Sequence, residues 1–233
     1  MDLPVELALS WLVLWLAQKK GLSVLGILPN RTRILQLLIG FLGACLLCGF
    51  NFFLQTLFSA SQWMWNKALT LQSTLNCVWW ILHSVLYEEL IFRGALLYVA
   101  IQKVGVKKAC TLSAVGFGIY HWFSMNVFGQ WIQMSYLFVA TGVIGYLLTL
   151  AYAKTKSLYL PIGIHFGWNL VSTFVFSQGP LGNQLLILLA GERFSLIENI
   201  LVMLVSTFAL PFMTFIYLKW MENKGEDQIL SKA

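Results

Sequence analysis

Three ionisable residues lie in the middle of a long apolar stretch that covers residues 74–101. They are Glu88, Glu89 and Arg93, in the string Tyr-Glu-Glu-Leu-Ile-Phe-Arg. A charged side chain at the centre of a bilayer costs at least ~2.5–3.5 kcal/mol, so such residues commonly mark a functional site. Glu89 and Arg93 share a helix face at i,i+4 spacing and can form an ion pair. Glu88 points about 100° away from Glu89, which leaves it either protonated or facing a polar cavity.

Two other apolar stretches carry histidines. His121 lies in the stretch 109–125, and His165 lies in the stretch 158–178, one helical turn before Asn169. Because His165 and Asn169 are spaced i,i+4, one helix face presents an imidazole and a carboxamide together. Taken alone, a buried histidine is usually a packed core residue, and the glutamate–arginine group is also explained if it only holds helices together.

The polar residues of the three stretches lie at similar depths. Counted from the expected cytoplasmic boundaries at about 1.5 Å per residue, Glu88, His121 and Asn169 lie roughly 17–20 Å deep and His165 roughly 11 Å. One carboxylate, two imidazoles and an amide are then within side-chain reach of each other. Packing alone does not readily bring four such groups together, so we predict a functional site.

These side chains have the chemistry for hydrolysis by a directly attacking water. A carboxylate in a low-dielectric site can act as a general base on water, and a nearby imidazole can orient that water or share its proton. A second histidine and an amide can donate hydrogen bonds to a developing oxyanion. Hydrolysis of a peptide bond within the membrane fits this set of groups.

The same side chains offer alternatives, since one glutamate and two histidines can also bind Zn²⁺. The chain has no H-E-x-x-H helix, however, and Glu88, His121 and His165 come from three separate stretches. The sequence therefore predicts a site without a metal and an activity without a cofactor. A proton relay in a transporter is a further alternative use of these residues.

The composition indicates that these residues are positioned inside a membrane. Of the 233 residues, 59% are hydrophobic and 10% are charged, whereas a soluble domain has about 45–50% apolar and about 25% charged residues. A soluble fold of this length could not cover itself with so few charges. The formal net charge of +6 comes from Lys and Arg in short gaps between apolar stretches. No basic stripe interleaved with aromatics is present, so the sequence predicts a multi-pass integral membrane protein and no nucleic-acid partner.

The apolar stretches predict an all-α, polytopic transmembrane helical bundle in one domain over residues 1–233, with its motif core at 74–178. About 20 apolar residues are needed to span ~30 Å of hydrocarbon. Seven stretches are predicted spans: 3–18, 34–58, 74–101, 109–125, 131–153, 158–178 and 196–218. Residues 181–190 are apolar but too short to span, so they are predicted to form a re-entrant or interfacial segment.

Basic residues concentrate in alternate loops, which predicts the orientation in the membrane. Most of them lie in the four segments 19–33, 102–108, 154–157 and 219–232. The intervening loops hold only Lys67 and Arg193. Because cytoplasmic loops carry the excess of Lys and Arg, we expect the N-terminus outside and the C-terminus in the cytoplasm.

Three motifs, in this order along the chain, resemble the CAAX protease and bacteriocin-processing family, also called CPBP or Abi, whose best-known members are the CAAX prenyl endopeptidases. They are E-E-x-x-x-R at Glu88-Glu89-Arg93, F-x-x-x-H at Phe117-His121 and H-x-x-x-N at His165-Asn169. Each motif alone is a weak signal. Together, in order and on separate hydrophobic helices over residues 88–169, they are specific.

The resemblance implies an intramembrane glutamic endopeptidase, built as a helical bundle with a cavity that opens into the membrane. By analogy with the family, the catalytic residues form two pairs. Glu88 and His121 activate the water, and His165 and Asn169 stabilise the oxyanion. The supporting residues are Glu89, Arg93 and Phe117. The family is metal-independent, in agreement with the prediction above.

The resemblance leaves two classes of function open. A peptidase would process a membrane-associated or lipidated peptide or protein, and prenylated C-termini, bacteriocin precursors, peptide pheromones and C-terminal sorting helices are all candidate substrates. The membrane is expected to be the cell membrane in a prokaryote and that of the endoplasmic reticulum in a eukaryote. The alternative is a non-catalytic immunity factor or scaffold of the same fold. The intact motifs favour the enzyme, since a scaffold has no physical need for the unpaired Glu88 carboxylate.

Other residues near the motifs are predicted to have structural roles. Gly163 and Gly167 form a G-x-x-x-G pair that allows a neighbouring helix to approach closely. Trp168 is expected to line the cavity. His83 matches no family position and is predicted to be a core or cavity-lining residue, and the C-x-x-C at residues 45–48 is predicted to be packed in a helix.

Overall fold

The computed structural model describes residues 3–177 and 179–230, with side chains described up to residue 224. In this part of the chain the structure is mostly helical, so the predicted all-α class is confirmed. The helices are α1 (Leu3–Gln18), α2 (Arg31–Phe58), α3 (Leu71–Arg93), α4 (Ala95–Val104), α5 (Val106–Ser124), α6 (Trp131–Thr155), α7 (Tyr159–Asn169) and α8 (Leu196–Leu230). Two short strands are present, β1 (Gln62–Trp65) and β2 (Leu186–Ala190).

Within the described part of the chain, three helices are long and apolar enough to cross a membrane: α2, α6 and the part of α8 from Leu196 to Lys224. The α1 helix is apolar but shorter, with 16 residues. Leucines on the outer face of α2 are exposed, including Leu42 at 57% and Leu46 at 74%, as lipid contact requires. The count of seven spans and the orientation stay predictions, and Lys232 of the basic tail lies outside the described residues.

The predicted continuous span over residues 74–101 is wrong, because the chain breaks at Gly94 between α3 and α4. A Cβ atom at Gly94 would lie 2.1 Å from the carbonyl oxygen of Leu90, so this turn requires a glycine. At its other end, α3 begins with a reciprocal capping box between Thr70 and Ser73. The depth that was counted for Glu88 assumed an unbroken helix from residue 101, and that count therefore does not hold.

The α7 helix packs closely on α2 through the predicted G-x-x-x-G pair. A Cβ atom on Gly163 would lie 2.3 Å from the Leu37 carbonyl oxygen, and one on Gly167 would lie 2.4 Å from that of Phe41. Real Cβ atoms do not come so close to a carbonyl, so only glycine allows this approach. The predicted role of the glycine pair is confirmed, and it fixes the helix that carries His165.

The chain changes conformation on both sides of α7. Pro161 lies in the first turn of α7, where its missing N–H costs no helical hydrogen bond. Directly after Asn169 the helix widens into a π-helical turn over Leu170–Val175. π-Helical turns are rare in proteins, and those that do occur frequently lie at functional sites.

The segment 181–190 contains a strand that sequence analysis did not identify. β2 pairs antiparallel with β1, and Met64 lies opposite Ile187. The sequence Leu-Ile-Leu-Leu-Ala has no alternation of polar and apolar residues, so its periodicity alone cannot distinguish a strand from a helix.

Candidate active site

A cavity of about 550 Å³ contains the predicted catalytic residues in its wall. Helices α3, α5, α6, α7 and α8 contribute to this wall, together with the π-helical turn. The predicted residues that line it are Glu88, His121, His165 and Asn169, joined by Phe117 and Trp168. The structure thus brings residues from three separate motifs to one cavity, and the prediction that Trp168 lines it is confirmed.

The predicted ion pair between Glu89 and Arg93 is present and fully buried. Arg93 Nη1 donates to Glu89 Oε1 at 3.1 Å, and both side chains have 0% exposure. Arg93 Nη2 donates to the carbonyl oxygen of Gly145 on α6 at 3.2 Å. The guanidinium also lies 4.3 Å from the ring centroid of Phe117 on α5, within cation–π range. Arg93 therefore ties α3 to α5 and α6.

His165 lies between the two glutamates. Its Nδ1 atom lies 2.8 Å from Glu89 Oε1. Because a carboxylate oxygen that already holds Arg93 acts here as an acceptor, His165 Nδ1 donates the proton. The other ring nitrogen, Nε2, lies 3.7 Å from Glu88 Oε2. Glu89 thus sets which imidazole nitrogen faces Glu88.

Glu88 turns away from the buried ion pair and into the cavity wall, as its position on the helix predicts. Its side chain is almost buried, and the residue has 8% exposure. Glu88 Oε2 has no hydrogen-bond partner among the described residues. Glu89 Oε1 accepts from both Arg93 Nη1 and His165 Nδ1, whereas Glu88 lines the cavity and can interact with a molecule there.

His121 is oriented by its own helix. Its Nδ1 atom lies 2.8 Å from the backbone carbonyl oxygen of Phe117 one turn earlier, and since a carbonyl can only accept, Nδ1 donates. In the neutral imidazole Nε2 is then an acceptor. The Phe117 ring packs edge-on against His121 at a centroid distance of 4.4 Å. The F-x-x-x-H spacing therefore provides both the carbonyl and the ring that fix the imidazole.

The two histidines differ in their relation to Glu88. His165 lies within ion-pair distance of Glu88, whereas within the part of the chain that the structure describes His121 makes no such contact. The resemblance pairs Glu88 with His121. A water that contacts both residues would have to bridge a gap longer than the 3.7 Å between Glu88 and His165. These roles stay predictions.

Asn169 is the last residue of α7 and lies on the same face as His165, so both line the cavity. The H-x-x-x-N spacing is thus explained by one helical turn. In addition to Asn169, several residues with hydroxyl groups line the cavity, and the sequence did not predict a role for them. They are Ser84, Thr141, Ser172, Thr173, Ser177, Ser206 and Thr207. For the part of this wall on α8, the sequence offers one signal, which is Pro211. This proline lies inside an apolar stretch, and it lines the same cavity.

The remaining polar residues of the sequence analysis lie outside this network. His83 is half-buried, with its ring 6.4 Å from that of Trp79. Cys45 Sγ donates to the Gly167 carbonyl at 3.4 Å, and Cys48 is buried. Residues 45–48 therefore pack in α2 as predicted. Over residues 3–177 and 179–224, no group of three His, Cys, Asp or Glu side chains is placed to hold one metal ion.

The comparisons with known proteins agree with the motifs. A family model described as Type II CAAX prenyl endopeptidase Rce1-like matches residues 70–171, a range that includes all three motifs. The predicted resemblance is confirmed. The match indicates peptidase activity, and with the three candidate spans it indicates an integral membrane protein. No curated protein and no solved structure matches the chain.

Proposed function

We propose that the protein is an intramembrane endopeptidase of the glutamic type, in which Glu88 activates the water that attacks the peptide bond. The observation that carries this proposal is the position of Glu88, a nearly buried carboxylate in a cavity wall with one oxygen unpartnered among the described residues. Burying a carboxylate oxygen without a partner is costly, and the position in the cavity wall distinguishes Glu88 from Glu6, whose buried carboxylate also has no partner among the described residues. A general base needs this combination of access and low dielectric.

The proposed reaction uses the protein's own side chains at each step. Glu88 removes a proton from water, and His121 Nε2 accepts a hydrogen bond that orients this water. The oxygen adds to the carbonyl carbon of the substrate, and the carbonyl oxygen becomes an oxyanion. The C–N bond then breaks, and the amine leaves with the proton that Glu88 returns. His121 is suited to its role because its Nδ1 proton is already held by the Phe117 carbonyl.

His165 and Asn169 are proposed to stabilise the oxyanion. Both lie on one face of α7, beside Glu88. When His165 Nε2 carries a proton, it can donate to an oxygen that forms in front of Glu88, and the Asn169 carboxamide can donate from one turn further along. Glu89 and Arg93 are positioning residues in this proposal, because Glu89 holds the Nδ1 atom of His165. Phe117 supports both Arg93 and His121.

The proposed substrate is a membrane-associated or lipidated peptide or protein. Much of the cavity wall is apolar, with Trp80, Leu137 and Ile144 among its residues. Such a wall accepts an apolar peptide segment or a lipid chain beside the polar groups. A prenylated C-terminus, a bacteriocin or pheromone precursor and a sorting helix all provide one of these.

The experiment is cleavage of two fluorescence-quenched peptides by the purified protein in liposomes. One probe carries an S-prenylated cysteine near its C-terminus, and the other is an unlipidated hydrophobic helix. We expect cleavage of at least one probe and a loss of about 10²–10⁴-fold in rate for Glu88→Gln. The variant should elute as one folded species in detergent. If Glu88→Gln cleaves as fast as the wild type, or if neither probe is cleaved, the scaffold alternative gains support.

A further inference from the structure

A second polar position lies in the cavity wall on α8, away from the catalytic residues. Thr207 is buried, with 6% exposure, and it lines the cavity together with Leu210 and Pro211. Its hydroxyl oxygen is buried and has no hydrogen-bond partner among the described residues. An unpartnered buried hydroxyl destabilises a fold unless a ligand or solvent satisfies it.

The backbone of Thr207 also lacks its usual partner. In an α-helix, the carbonyl of residue 207 accepts a hydrogen bond from the N–H of residue 211. Residue 211 is a proline inside α8 and has no N–H to donate. One residue therefore presents a hydroxyl donor and a carbonyl acceptor, both without their ordinary partners.

Other hydroxyl groups nearby are satisfied within the protein. Ser206, the preceding residue, donates to Asn51 Oδ1 on α2 at 2.9 Å. Thr214 donates to the Leu210 carbonyl at 2.8 Å. Thr141 also lines the cavity, and it donates to the Leu137 carbonyl at 2.7 Å. Thr207 thus differs from its neighbours, and burial in an apolar helix does not explain the difference.

We propose that Thr207 is a substrate-binding subsite that holds one peptide unit of the substrate backbone. The Thr207 hydroxyl donates to a substrate carbonyl, and the Thr207 carbonyl accepts from a substrate N–H. One donor and one acceptor complement a neutral amide, whereas a carboxylate or phosphate would be repelled by the carbonyl oxygen. A helix allows threonine two side-chain rotamers, so the hydroxyl can turn to the ligand. This inference rests on the proposed peptidase function.

The subsite lies on a different wall from the reacting groups. The α8 helix packs mainly on α6 and α2, whereas α3, which carries Glu88, packs on α1, α4 and α7. Contacts at Thr207 therefore position the substrate without touching the water or the oxyanion. A change there should raise KM and the Kd of the peptide, and it should leave kcat nearly unchanged.

The test is peptide binding and cleavage by Thr207→Val, which replaces the hydroxyl with a methyl group of similar size. We expect Kd and KM to rise about 3–10-fold, the effect of one net hydrogen bond. Thr207→Ser should restore both values. Thr214→Val is the matched control, since that hydroxyl already has a partner in its own helix and Thr214 is not among the residues that line the cavity, and its KM should stay at the wild-type value. The melting temperature of Thr207→Val should not fall, because an unpartnered buried hydroxyl is removed.

The role of the Thr207 carbonyl is tested with Pro211→Ala. Alanine has a backbone N–H, and in an α-helix this N–H donates to the Thr207 carbonyl. Peptides in which single amides outside the scissile bond are replaced by esters lack one N–H each. We expect one ester to weaken binding to the wild type, and the same ester to have no effect on Pro211→Ala. The inference is overturned if no ester position differs between the two proteins.

Binding is measured by anisotropy of both labelled probes in a Glu88→Gln background, where we expect turnover to be about 10²–10⁴-fold slower. Unchanged Kd values for Thr207→Val, or the absence of binding by either probe, overturn the subsite. Failure of the proposed function has a different signature, since it leaves cleavage insensitive to Glu88→Gln whatever the Kd values are.

Discussion

Replacing Glu89 by glutamine should destabilise the protein, whereas the same change at its neighbour Glu88 should only abolish activity. Glu89 Oε1 accepts from Arg93 at 3.1 Å and from His165 at 2.8 Å. Removing one partner of a buried ion pair costs about 3–5 kcal/mol, because the other charge remains buried. Glu88, in contrast, makes one charged contact among the described residues, with His165 at 3.7 Å. Glutamine at that position keeps the shape of the side chain and removes the proposed general base.

The expected stability change is large enough to measure in detergent. For a chain of this size, 1 kcal/mol corresponds to about 2–4 °C in the melting temperature. Glu89→Gln should therefore lower the melting temperature by about 6–20 °C and also reduce activity, because His165 loses its anchor. Glu88→Gln should change the melting temperature by less than about 4 °C and lower the rate about 10²–10⁴-fold.

A matched control comes from a glutamate that pairs at the surface. Glu222 on α8 forms an ion pair with Lys154 on α6, and its side chain is 51% exposed. Exposed pairs contribute about 0–1 kcal/mol, so Glu222→Gln should leave both melting temperature and activity close to the wild type. The reasoning is refuted if Glu88→Gln destabilises the protein while Glu89→Gln only silences it. In that case the two carboxylates have the opposite roles.

Four further predictions concern the site, the charge pattern and the packing of α7. Asn169→Ala should lower kcat about 10²–10³-fold in the liposome assay. Treatment with a strong zinc chelator should leave wild-type cleavage unchanged. A loss of activity that added Zn²⁺ restores would instead assign metal-ligand roles to Glu88, His121 and His165. Cysteine labels in 19–33 and 102–108 should be reached from the same, cytoplasmic side, and opposite labelling would contradict the span count. Gly163→Ala should lower the melting temperature, at a cost of about 1–3 kcal/mol for overpacking against Leu37. The control Gly43→Ala should not lower the melting temperature, because a Cβ atom at Gly43 would have no neighbouring atom within 4 Å.

The three motifs could be predicted from the sequence because each depends on local helix geometry. Glu89 and Arg93 pair one turn apart, and His121 binds the carbonyl that Phe117 presents one turn earlier. A repeat of 3.6 residues is sufficient to place such partners on one face. The free-energy cost of placing a charged side chain in the bilayer then distinguishes these residues from the many apolar ones around them.

The contacts between helices could not be predicted in this way. No spacing rule indicates that His165 bonds Glu89 across 76 residues, or that Arg93 reaches the Gly145 carbonyl on α6. The break at Gly94 was missed because an isolated glycine is tolerated in many helices, and only the approach of the Leu90 carbonyl makes it necessary here. The β1–β2 pair depends on residues 62 and 190, which are far apart in the sequence.

Two consecutive glutamates acquire separate roles because successive residues on a helix point about 100° apart. Glu89 points into the protein, where Arg93 and His165 occupy it. Glu88 is then carried to the cavity on the same helix, and its distance from His165 is set by the neighbouring residue. A buried pair that orients the imidazole thus lies directly beside the carboxylate that we propose as the general base. The buried pair fixes the orientation of His165, and the one-residue offset places Glu88 in the cavity wall.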